Sequence, residues 1–93
     1  DILDEILRTV IAKGRGIELN TGGFHYGLGE PNPCRAVIRR YRELGGEIIT
    51  VGADAHNPVK IAYDFDKAAA ILADCGFKYY TVFQNHKPEF IKL

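Results

Sequence analysis

The chain has 93 residues, enough for one small domain or a piece of a larger one, with a core of limited margin. Its 12 Lys and Arg balance its 12 Asp and Glu, which argues against the basic stripe a nucleic-acid partner requires. No stretch is long and apolar enough to span a membrane and no signal peptide is present, so a cytoplasmic protein without a membrane partner is expected.

The chain contains no methionine, even at position 1, and opens directly on Asp1-Ile2-Leu3-Asp4-Glu5. That start is already amphipathic helix, so the chain reads as the downstream part of a longer protein. From Asp1 to Lys13, the residues Ile2, Leu3, Ile6, Leu7, Val10 and Ile11 fall at helical spacing on one stripe. Gly14 and Gly16 stop the helix. Ile17-Glu18-Leu19-Asn20-Thr21 then alternates apolar and polar, a strand with Glu18 and Asn20 on its polar face. Gly22 to Pro33 is a long glycine-rich stretch holding Phe24, His25 and Tyr26; loops of this length inside a compact domain are usually functional or disordered, and the two aromatics argue against disorder.

Asn32-Pro33 has the form of an N-cap and first turn, predicting a second helix with the stripe Cys34, Val37, Ile38, Tyr41 and Leu44. Arg35, Arg39, Arg40 and Arg42 spread around the solvent side of that helix, diluted by Glu43 and Glu47. After Gly45-Gly46 a strand covers Glu47 to Val51. A third helix is predicted from near Asp64 or Asp66 to Asp74, with Phe65, Ala68, Ala69, Leu72 and Cys75 on its apolar face. Lys78 to Phe83 reads as a third strand, Asn85-His86-Lys87-Pro88 as a turn, and Glu89 to Leu93 as a short returning edge strand. Cys34 and Cys75 fit no CxxC pattern and read as small buried hydrophobes in a reducing compartment.

Gly16, Gly46 and Gly76 precede the three strands at intervals of thirty residues, the size of a βα unit. Strands joined by such helices run parallel, so the expected class is α/β with three parallel strands and a C-terminal hairpin. In open sheets and barrels of this class the ligand site lies at the C-terminal ends of the strands. Here those ends are Asn20-Thr21 with the glycine loop, Gly52 to His56, and Phe83 to Asn85.

Asp54-Ala55-His56 stands just past the second strand. It offers a hard oxygen and a borderline nitrogen to one spot, the mix that divalent Zn, Mn or Fe accepts. Asx turns and surface histidines also produce Asp-x-His, and a catalytic ion needs about three protein ligands, so further ligands must come from elsewhere. Glu18 could serve as a general base, a ligand or a carboxylate supporting one; the structural alternative is a buried carboxylate hydrogen-bonded to a neighbouring element. His25 could meet a phosphate or a leaving group, or be an exposed loop histidine. His86 fits a turn. The glycine loop lacks both the GxxxxGK[ST] and the G-x-G-x-x-G spacing.

Several stretches follow in order: Gly16-Ile-Glu-Leu-Asn-Thr21, Gly27-Leu-Gly-Glu-Pro-Asn-Pro33, Arg40-Tyr-Arg-Glu-Leu-Gly-Gly46, Ile49-Thr-Val-Gly-Ala-Asp-Ala-His56, Tyr63-Asp64-Phe65 and Gly76-Phe-Lys-Tyr-Tyr-Thr-Val-Phe83. Together they closely resemble the C-terminal third of histidinol-phosphatases of the polymerase and histidinol phosphatase (PHP) family. The resemblance covers nearly the whole chain. It implies that residues 1–93 are the C-terminal βα units of a single distorted seven-stranded, TIM-like β/α barrel holding a cluster of up to three divalent metals. The family's last motif supplies an Asp and a His as ligands, which carry over onto Asp54 and His56. Its other ligands, an N-terminal His-x-His and later His and Glu residues, are not in this chain. Glu18 and Asn20 match a strand motif near the site and, with His25, are the candidate substrate-binding residues. Family members often carry Arg where this chain has His25, and His is a weaker, pH-dependent phosphate donor.

The resemblance thus implies a metal-dependent phosphomonoesterase of histidine biosynthesis. Asp54 and His56 would be its catalytic metal ligands and a small phosphomonoester its substrate. The chain by itself would be inactive without the N-terminal part of the barrel. Two alternatives stand beside it. One is another PHP-family phosphoesterase, including a polymerase-associated domain; the other is a non-enzymatic α/β ligand-binding module.

Overall fold

The computed structural model describes residues 1–20, 33–52 and 58–93, over 58–64 the backbone alone. The chain is α/β, with the order α1 (Ile2–Ala12), β1 (Ile17–Asn20), α2 (Arg35–Glu43), β2 (Ile49–Gly52), α3 (Pro58–Asp74), β3 (Tyr79–Gln84) and β4 (Lys87–Lys92). Asp1 caps α1, its side chain accepting from the Leu3 N–H at 2.9 Å, and Asp4 and Glu5 suit the positive end of the helix dipole.

The three helices of the described residues stop in the same way. They end at Ala12, Glu43 and Asp74, 31 residues apart. Two residues on, Gly14, Gly45 and Gly76 adopt φ of +68°, +102° and +98°. Each glycine N–H donates to a carbonyl of the last turn (Ile11, Arg42, Ala73), and the next residue donates to the one before it (Arg15 to Val10, Gly46 to Tyr41, Phe77 to Leu72). This pair of bonds is the Schellman motif, and it needs glycine because an L side chain is strained at positive φ. The residue that accepts the outer bond packs into or against the core in all three cases: Val10, Tyr41 and Leu72. The strands therefore begin from one repeated device, whose positive-φ glycines are 14, 45 and 76.

β1 and β2 pair in parallel, with register Ile17↔Ile49, Glu18↔Thr50, Leu19↔Val51 and Asn20↔Gly52. Because side chains alternate along a strand, Ile17, Leu19, Ile49 and Val51 share one face, and Glu18, Asn20, Thr50 and Gly52 the other. The helices cover the first face. Leu7 of α1, Ile38 and Tyr41 of α2, and Ala68, Ile71 and Leu72 of α3 bury against Leu19 and Ile49, joined by Cys75 and Phe77. Each fully buried aliphatic side chain contributes about 1.5–3 kcal/mol.

β3 departs from the expected third parallel strand. Among the described residues the hydrogen-bonded sheets are β1–β2 and the antiparallel pair β3–β4. β3 meets β2 through a side chain: the Ile49 N–H donates to Thr81 Oγ1 at 3.2 Å, and Thr81 is buried. The β4 edge is drawn onto β3 by Asn85-His86, whose φ of 51° and 64° make the two-residue turn that suits hairpin twist. Phe65 of α3 meets the Tyr80 ring edge-on at 5.1 Å.

Other differences are local. β2 starts later than expected, at Ile49, and runs through Gly52; β3 and β4 are likewise displaced by one or two residues. α2 begins at Arg35, not at Pro33, with Cys34 in extended backbone as its cap; Asn32 lies outside the described residues. The Cys34 carbonyl accepts from Val37 and Ile38, and its side chain makes no capping bond. Standing ahead of the apolar stripe, Cys34 is exposed and not a core residue, whereas Cys75 is buried as expected. α3 begins at Pro58, about two turns before the predicted start, using proline's preset φ at a first helical position. Ile2 and Ile6 leave the expected stripe of α1 and are 76% and 56% exposed.

Candidate functional site

Glu18 projects from the face of β1 that no helix among the described residues covers, and it is exposed, so the buried-carboxylate alternative does not hold. Its register partner is Thr50, yet its carboxylate leans across to Gly52, one side-chain position nearer the C-terminal ends of the strands. A Cβ at residue 52 would stand 2.8 Å from Glu18 Cδ and 2.9 Å from each carboxylate oxygen. Real Cβ atoms do not approach so closely, so the carboxylate occupies room that only glycine leaves. Among the described residues no hydrogen bond or ion pair is made by this carboxylate. Sequence reasoning missed Gly52. The available signal was a glycine inside a strand, which marks a close approach.

Asn20 and Gly52 are register partners at the C-terminal ends of their strands, on neighbouring strands about 4.8 Å apart. The segment carrying His25 follows Asn20, and the segment carrying Asp54 and His56 follows Gly52. His25, Asp54 and His56 themselves lie outside the described residues. The register thus brings together Glu18, Asn20 and the departure points of both segments. Among the described residues, no group of three or more His, Cys, Asp or Glu side chains is arranged to hold a metal.

The opposite end of the strands is built differently. Arg42 donates from Nε to the Gly76 carbonyl at 3.3 Å and from Nη1 to the Gly46 carbonyl at 3.1 Å, with its guanidinium 5.7 Å from the Phe77 ring centre. It ties the end of α2 to the end of α3. The Tyr41 hydroxyl donates to the Ile48 carbonyl at 2.8 Å, and burial pushes its pKa up. Arg40 forks onto Asp4 of α1, at 2.8 and 2.6 Å, and that hydrogen bond holds the Asp4 carboxyl below its usual range. Arg39 pairs with Asp74 at 3.3 Å. Three of the arginines that clustered in the sequence, Arg39, Arg40 and Arg42, thus join helices. A groove of about 320 Å³ opens at this end, lined by Arg42, Glu47, Phe77, Lys78, Tyr79 and Phe90. Glu47 leads into β2 and Phe77 to Tyr79 into β3, and neither Glu18 nor Gly52 lines the groove, so this cavity and the candidate chemistry occupy opposite ends of the strands.

No helix among the described residues is long and apolar enough to cross a membrane. No protein-family model matches the chain. It is similar to a probable histidinol-phosphatase of Thermotoga maritima, 30% identical over 82 residues, covering 88% of this chain and 35% of the relative. A probable histidinol-phosphatase of Clostridium acetobutylicum is 31% identical over 81 residues, covering 84% of this chain and 30% of the relative. A histidinol-phosphatase of Lactococcus lactis subsp. lactis is 31% identical over 87 residues, covering 94% and 32%. The chain spans about a third of the length of the curated relatives it matches.

Proposed function

We propose that this chain supplies part of the active site of a metal-dependent phosphomonoesterase, a histidinol-phosphatase of histidine biosynthesis acting in the cytoplasm. In this reading it forms the C-terminal βα units of a PHP-type barrel, completed by an N-terminal part. The observation that carries the reading is the match, along 84% to 94% of the chain, to proteins named histidinol-phosphatase. The alternative of a non-enzymatic binding module has no such support.

The donor chemistry fits a hard or borderline divalent ion. Asp54 offers carboxylate oxygen and His56 imidazole nitrogen, and the Glu18 carboxylate stands in the berth left by Gly52. What a bound divalent ion supplies is Lewis acidity, which lowers the pKa of water and withdraws charge from phosphoryl oxygens. The chain's own residues would do the rest. Asp54 and His56 would hold the ion. Asn20 would donate to a phosphoryl oxygen, and protonated His25 would meet the phosphate as a cation. α3 begins only six residues after Gly52, so its positive end also starts near this rim. The chain alone would be inactive for want of the remaining ligands.

The test is phosphate release from histidinol phosphate by the intact protein supplied with Mn or Zn, beside the Asp54→Ala/His56→Ala double variant. Loss of at least about 100-fold in kcat/KM is expected, since even groups that only support metal ligands cost 10–100-fold. Undiminished activity in the double variant refutes the assignment. Because His25 stands where arginine is usual, a panel of other phosphomonoesters decides between histidinol phosphate and a different substrate of the same class.

A further inference from the structure

We propose that Gly52 and Glu18 act as one device: the missing side chain at residue 52 makes the berth that holds the Glu18 carboxylate over the strand end, where it serves as a positioning residue raising divalent-cation affinity. This rests on the metal-dependent reading above. It adds a residue, Gly52, to which neither sequence motif nor comparison gives a role.

Three observations carry it. First, the carboxylate does not run out to solvent from its own position. It crosses from β1 to β2 and lies against Gly52, with all three of its atoms within 2.9 Å of the place a Cβ would take. Second, it has no hydrogen-bonding or ionic partner among the described residues, so its placement is not explained by a structural ion pair. Third, the register puts Gly52 opposite Asn20 at the last rung of the parallel ladder, two residues before Asp54. A negative charge there, with two acceptor oxygens, attracts a cation and can receive the N–H or O–H of a group that binds it. Within the β1–β2 ladder the other residues on this face are Asn20, Thr50 and Gly52, none of them charged.

The device can be taken apart with the intact protein, using Mn²⁺ titration as the readout beside kcat and KM. Glu18→Gln keeps the shape and removes the charge; a 10–100-fold loss in Mn²⁺ affinity is expected, of the order that groups supporting metal ligands show. Glu18→Asp keeps the charge and shortens the reach, and should retain more affinity than Glu18→Gln. A packing role predicts the reverse order. The nearest atoms a Gly52→Ala methyl meets are the far end of a flexible side chain, so the fold should persist by circular dichroism while the carboxylate is displaced and Mn²⁺ affinity falls. In a Glu18→Ala background the same Gly52→Ala change should cost no further affinity. Wild-type Mn²⁺ binding in Glu18→Gln, or an undiminished effect of Gly52→Ala in the Glu18→Ala background, overturns the proposal while leaving the phosphatase reading intact. An intact wild-type protein that neither binds Mn²⁺ nor releases phosphate overturns both.

Discussion

At the N-terminal ends of the strands, the connections from helix to strand are uniformly short, spanning residues 13–16, 44–48 and 75–78. At the C-terminal ends, residues 21–34 part β1 from α2 whereas only 53–57 part β2 from α3. The first end is tied together: its glycines close helix ends, and Tyr41 and Arg42 donate to backbone carbonyls. The second end displays a carboxylate on an open face, with a glycine making room for it. In β/α architectures the first end answers to stability and the second to chemistry. The contrast teaches that the two demands are met by different residues of the same strands. Substitutions can therefore separate them.

The largest effect should come from Tyr41→Ala, which empties a fully buried site beneath Gly46 and removes the bond to the Ile48 carbonyl. A loss of about 3–5 kcal/mol is expected in chemical denaturation of the intact protein. Mn²⁺ affinity of the folded fraction should be unchanged. A matching fall in metal affinity would erase the distinction between the two ends. Gly46→Ala drives a methyl into the Tyr41 ring at a buried position and should cost about 1–3 kcal/mol by the same assay.

The smallest effects concern pH. Hydrogen bonding to Arg40 depresses the pKa of Asp4, so its contribution to stability is present above the ordinary aspartate range, about 3.9, and is lost as pH falls through the depressed value. Asp4→Asn should flatten that acid limb of the denaturation midpoint. Tyr41 has the opposite sign. Its raised pKa means stability is intact below about pH 10 and declines as pH rises through the raised value. Tyr41→Phe should remove that alkaline decline, followed by the same midpoint measurement.

Much of this architecture could be read from the chain because it follows from local rules. Apolar spacing marked α1 and α2, alternation marked β1, and paired glycines marked the helix ends. What escaped depended on partners distant in sequence. Nothing near Thr81 announces that its hydroxyl will take the Ile49 N–H in place of a strand-to-strand ladder. Nothing near Arg42 announces the Gly76 carbonyl. Pro58 carries a first-turn signal that places the start of α3 ahead of the predicted boundary near Asp64 or Asp66. At the candidate site, the polar face of β1 was readable from alternation. The lean of Glu18 onto Gly52 was not, because it depends on the register between β1 and β2.

The 31-residue recurrence of the glycine stop bears on how such a chain can change over generations. Because each helix carries its own termination signal, an insertion beyond a strand's C-terminal end is absorbed before the next helix finishes, and the following strand still starts from the same geometry. Lengthening or shortening residues 21–34 would alter what the rim can grasp without shifting which strand residues face the helices. The lengths of the connections at the strands' C-terminal ends can thereby drift while the helix stops are held by Gly14, Gly45 and Gly76.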